Sequence, residues 1–173
     1  MLKLLKNTKM LVMIAMFVAL QIVLTRFLSV ETATQRVSFA FLPIAVSGIM
    51  FGPFAAGFAA LVADLVGAVM VGFVPHPGIA LNAFLTGAIF GLLLHKHGHS
   101  LPRVMIACVI NVGVVAALMQ PLWISQIVGA PYWPLAMSRF PVLAVMLPVQ
   151  IFMIKLTWRY LGIYIERNEA TVS

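Results

Sequence analysis

Asp64 is the one carboxylate that falls inside a long apolar run of this 173-residue chain. An ionised Asp near the centre of a bilayer costs about 2.5–3.5 kcal/mol on insertion scales, so such a group asks for a function or a partner. It can accept hydrogen bonds from the amino and ring N–H groups of a ligand, or neutralise an Arg on a neighbouring helix. Arg26, Arg36 and Arg139 each border an apolar run. A guanidinium grips a carboxylate through two parallel hydrogen bonds; anchoring to lipid headgroups is its plainer use. One carboxylate on one side and three guanidiniums on the other suit a ligand with a donor-rich head and an acidic tail.

Other polar and aromatic groups can complete such a pocket. Thr25, Ser38, Asn82, Thr86 and Gln120 lie in or beside apolar runs, where polar side chains need partners. Phe39, Phe41, Trp123, Tyr132 and Trp133 fall near the ends of runs, where they serve either to stack on a flat heterocycle or as an interfacial belt. His76 stands between Pro75 and Pro77 and either touches a ligand or faces water. His95, His97 and His99 alternate, a spacing that can ligate a metal on an extended segment. No carboxylate or cysteine lies near them, so a solvated loop is expected and no metal or cofactor is assigned. Cys108 is the only cysteine, which excludes an intrachain disulfide. No G-x-x-x-x-G-K-[ST] loop, His-Glu-x-x-His pair or Ser/His/Asp set is found, so the chain has no ATPase site of that kind and no enzyme is expected.

The elements that position these groups follow from composition. The chain is 63% hydrophobic and only 9% charged, with mean hydropathy +1.10. Soluble domains carry about 25% charged residues, so a water-facing surface cannot be covered; a cytoplasmic enzyme, a disordered segment and a secreted disulfide scaffold are excluded. The net charge of +7 reflects Lys and Arg placed between apolar runs, where they act as topology signals, and no nucleic-acid module is present.

A crossing helix needs about 20 mainly apolar residues. The pattern predicts an all-α integral membrane protein, a single domain of six helices over about 8–27, 39–51, 54–73, 79–95, 104–126 and 140–162. Breaks fall on turn chemistry at Phe51-Gly52-Pro53, Val74-Pro75-His76-Pro77-Gly78, Leu101-Pro102-Arg103 and Gly129-Ala130-Pro131. The first run has a basic start, Lys3, Lys6 and Lys9, but lacks a small-x-small cleavage site, so a retained helix is expected over a signal peptide. With both termini cytoplasmic, eight of the 11 basic residues are inside and three outside, as the positive-inside rule favours.

Small residues must hold the helices together in lipid. Ala55, Ala59, Ala63 and Gly67 recur at four-residue spacing, as do Ala83, Gly87 and Gly91, and Gly48 with Gly52. Ala15 and Ala19 form a separate notch on a bulky first helix, for packing within the chain or for docking another subunit.

Thr25-Arg26-Phe27-Leu28-Ser29, Arg36-Val37-Ser38-Phe39-Ala40-Phe41-Leu42-Pro43 and Phe51-Gly52-Pro53 resemble the substrate-binding S components of energy-coupling-factor (ECF) vitamin transporters, and most closely the folate-specific branch. Ala63-Asp64-Leu65-Val66-Gly67-Ala68, Pro77-Gly78 and Leu81-Asn82-Ala83-Phe84-Leu85-Thr86-Gly87 continue the resemblance, which covers most of residues 10–95. It implies a six-helix vitamin-binding subunit of a bacterial plasma membrane, without catalytic activity. It implies as partners a transmembrane coupling subunit and two cytoplasmic ATPases, with Ala15 and Ala19 as the docking notch. Folate would place its pterin donors on Asp64, its glutamate carboxylates on Arg26, Arg36 or Arg139, and a flat ring against Phe39 or Trp123. The competing readings are an S component for riboflavin, thiamine or pantothenate, a small membrane enzyme using Asp64 and the histidines, and a transporter working without ATPases.

Overall fold

The computed structural model describes residues 8–26, 29–32, 35–95 and 100–169. Helix α1 is Thr8–Arg26, α2 Phe41–Met70, α3 Pro77–Leu94 and α4 Leu101–Ile110. A π-helical stretch, Asn111–Met119, joins α4 to α5, Gln120–Val128, in one continuous rod, and α6 is Tyr132–Glu169. Among the described residues, four helices are long and apolar enough to cross a membrane: Phe41–Met70, Pro77–Leu94, Leu101–Val128 and Tyr132–Tyr160. Leu11–Arg26 is a shorter apolar helix.

The predicted second and third helices are the two arms of α2. Gly52 breaks the helix with φ 81° and ψ −178°, a backbone conformation that costs glycine little, and Pro53 follows without an N–H to donate. Ile44 and Asp64, one on each arm, border the same small cavity. Along a straight helix they would lie about 30 Å apart, so the chain folds back at Gly52.

Helix α3 packs against both arms, and its small residues make the close approach possible. A Cβ on Gly48 would meet the Gly91 nitrogen at 2.8 Å, one on Gly87 the Ala56 carbonyl oxygen at 2.5 Å, and one on Gly91 the Pro53 backbone. The core is Phe41, Ala45 and Ile49 of the first arm with Phe90, Leu94, Val104, Cys108 and Ile154. His95, just past α3, makes a 3.0 Å hydrogen bond through Nδ1 to the Ile49 carbonyl, the acceptor that Pro53 cannot serve. His97 and His99 lie outside the described residues.

Two features depart from the expected outline. A short antiparallel hairpin, β1 Ser29–Thr32 and β2 Gln35–Ser38, links α1 to α2, with Ser29 opposite Ser38 and Glu31 opposite Arg36. Its β-branched Val30, Thr32 and Val37 alternate with polar residues, which suits a strand. Helix α6 begins eight residues before its predicted start. Pro134 sits in its first turn, where a missing N–H is harmless, and internal prolines such as Pro141 and Pro148 are tolerated in membrane helices. Arg139 therefore stands on the side of a helix and not in a loop.

Candidate functional site

A cavity of about 240 Å³ opens between the two arms of α2, helix α3, the π stretch and α6. Seven of the residues singled out from the sequence line it: Ser38, Phe41, Asp64, Asn82, Thr86, Gln120 and Arg139. The fold-back at Gly52 brings Asp64 to the cavity; the early start of α6 brings Arg139, which is 5% exposed.

The wall is mixed, and several of its polar side chains are buried. Thr86 Oγ1 donates to Asn111 Oδ1 at 3.0 Å, and Trp123 Nε1 donates to Asn82 Oδ1 at 3.3 Å. Asn82 Nδ2 and Gln150 Oε1 are buried without a hydrogen-bond partner, on side chains 6% and 8% exposed. A buried polar atom left unpaired costs about 1–3 kcal/mol, so a ligand that accepts from Asn82 and donates to Gln150 recovers that energy on binding.

Arg26 does not stand apart from Asp64, as the head-and-tail arrangement expects. Its Nη2 lies 3.8 Å from Asp64 Oδ1 and donates to the Asp64 carbonyl oxygen at 3.4 Å. The guanidinium packs over Gly67, where a Cβ would meet Arg26 Nε at 2.8 Å. The Arg on α1 and the Asp on the second arm of α2 thus meet behind the cavity wall.

The remaining candidates fall around this centre. His76 caps α3, its Nδ1 accepting from the Gly78 N–H at 3.2 Å, and its ring lies 5.9 Å from that of Trp123. Trp123 rests on Gly78, whose missing Cβ makes room for the indole. Phe39 is exposed and tilted against Phe41, which does line the cavity. Arg36 pairs through its backbone in the hairpin. Asn111 and Gln150 were not singled out from the sequence, although each is a polar residue inside an apolar run, the signal that did mark Asn82. Among the described residues, no group of three or more His, Cys, Asp or Glu can hold a metal ion.

A second, larger groove of about 490 Å³ is wholly different in character. It runs between α1 and the second arm of α2, lined by Leu11, Ala15 and Val18 on one side and Pro53, Phe58 and Val62 on the other. Ala15 is one of its lining residues; Ala19, one turn on, is exposed.

Comparison with known proteins gives a consistent result. The family model for the ECF transporter, substrate-specific component, matches residues 9–165. The folate transporter FolT of Clostridium novyi (strain NT) is 32% identical over 155 residues, covering 89% of this chain and 90% of the relative. A crystal structure of FolT bound with folic acid matches with a TM-score of 0.80 at 31% identity, covering 86% of this chain and 91% of the solved one.

Proposed function

This chain belongs to the family of ECF transporter substrate-specific components, and from that premise we propose that it captures folate outside the cell and delivers it inward, while partner subunits hydrolyse ATP. The observation that carries this reading is the buried polar cavity, in a fold shared with a protein solved with folic acid bound.

The chain crosses the membrane six times, with both termini on the inner side. The two arms of α2 count as the second and third passes, the first arm falling short of the full hydrocarbon thickness, and α1, α3, the rod Leu101–Val128 and α6 make the other four. The excess of Lys and Arg in the segments this places inside supports that orientation.

In the cavity, Asp64 accepts from the amino and ring N–H groups of the pterin. Asn82 Nδ2 donates to a ring acceptor and Gln150 Oε1 accepts a ring donor, which satisfies both buried atoms. Arg139 holds a glutamate carboxylate, with Arg36 available to the second. Ser38 and Thr86 complete the wall, and Phe39 flanks the ligand beside Phe41. Arg26 fixes Asp64; Trp123 orients the Asn82 amide, and His76 holds the end of α3 on which that amide depends. The partners are a transmembrane coupling subunit and two cytoplasmic ATPases, and the coupling subunit docks a helix in the apolar groove at Ala15 and Ala19.

The test is to purify the chain alone in detergent and titrate folate, with riboflavin and thiamine as controls, by tryptophan fluorescence and calorimetry. Saturable binding of folate and of neither control is expected. Binding of a control vitamin in its place overturns the assignment of the ligand.

A further inference from the structure

The nine residues Asn111–Met119 form a π-helix in the middle of an otherwise α-helical rod. Such stretches are rare, usually a single turn, and tend to occur at functional sites. Bonding from i to i+5 advances each residue by roughly 80° about the axis, against roughly 100° in an α-helix. Four residues of the rod line the cavity: Asn111, Val115, Ala116 and Gln120.

Only the π winding places these four together. At roughly 80° per step, Val115 and Ala116 fall about 40° to either side of Asn111, and Gln120 returns to the azimuth of Asn111. At roughly 100° per step, Gln120 would point to the opposite side, and Leu118 would come within about 20° of Asn111. In the structure Leu118 is 54% exposed and Val114 46% exposed, as the π winding requires.

We propose that Gln120 is a ligand-binding residue and that the π winding is the device that presents it to the ligand beside Asn111. A primary amide offers a donor and an acceptor side by side, which complements a ring edge carrying an N–H next to a carbonyl. The Asn111 amide is held by the hydroxyl of Thr86, and the Gln120 amide lies two π turns along the same face. The unpartnered Asn82 Nδ2 and Gln150 Oε1 on this cavity are independent signs that a polar ligand completes it. The proposal rests on the reading that folate occupies the cavity.

Single cysteines test the winding in a Cys108→Ala background, with a water-soluble thiol reagent and the full chain in detergent. Ala116→Cys and Gln120→Cys are expected to react, and Leu118→Cys to react at least tenfold more slowly at an equal concentration of reagent. The reverse order, with Leu118→Cys open from the cavity and Gln120→Cys closed, is the α pattern and overturns the proposal. Gln120→Leu tests the role of the side chain: folate affinity is expected to fall at least tenfold, while Leu118→Ala leaves it unchanged. Unchanged affinity in Gln120→Leu also overturns the proposal. If the unmodified chain binds no folate, the ligand assignment fails, while the cysteine pattern still decides the winding.

Discussion

At Asp64 a single carboxylate serves the cavity wall on one side and the Arg26 guanidinium, 3.8 Å away, on the other. Both side chains are largely withdrawn from solvent, at 7% and 23% exposure, so removing one charge leaves the other in a poor medium. Arg26→Ala is expected to destabilise the chain by about 3 kcal/mol or more, read as a lower melting temperature in detergent. Asp64→Asn added to it is expected to restore part of that loss. Asp64→Asn alone is expected to weaken folate binding by about tenfold, the worth of one charge-assisted hydrogen bond. An unchanged affinity in that variant removes Asp64 from the ligand's ring. Asp64 was legible because one charge in an apolar run is conspicuous. Asn111 and Gln150 carry the same signal as Asn82, a lone amide in an apolar run, but nothing in the sequence says that the three face one cavity. Trp123 and His76, whose types suggest contact with a ligand, also hold Asn82 and the start of α3.

The helices differ in how closely they must approach, and the glycines mark where. Gly91→Ala drives a methyl into the Pro53 backbone at the α2 turn, where neither element can move freely, and is expected to cost about 1–3 kcal/mol. Gly113→Ala meets nothing within 4 Å and is expected to change stability by about 0.5 kcal/mol or less. Thermal melting of the two variants side by side checks both. The Gly52-Pro53 break was readable because its residues have strong local preferences. The hairpin was not, because four-residue strands beside an apolar helix leave too short a pattern. The π stretch has no local signature at all: Asn111–Met119 reads as an ordinary apolar helix. The start of α6 was misplaced because prolines that end helices in water are accommodated in lipid.

Over the whole molecule the two grooves differ in character, one with polar groups between five elements, the other apolar and open on α1 and α2. Ala15→Trp fills the apolar groove without touching the polar cavity. Folate binding by the isolated chain is expected to remain within about twofold, whereas uptake in cells carrying the coupling subunit and ATPases is expected to fall at least tenfold. Loss of binding in the isolated chain would show that the two grooves are not separate. The family was legible from the first half of the chain, which carries Arg26, Asp64 and the Gly52 turn; in the second half Arg139 stood out by its charge, while Asn111 and Gln150 came from runs that carry little pattern. The turn at Gly52 also bears on which parts of the chain can stand alone in lipid. The first arm of α2, residues 41–51, is about 16 Å long at the rise of an α-helix, roughly half the thickness of the hydrocarbon core. That is less apolar length than a helix needs to lie in lipid alone, so the first arm depends for its place on α3, which packs against it at Gly48.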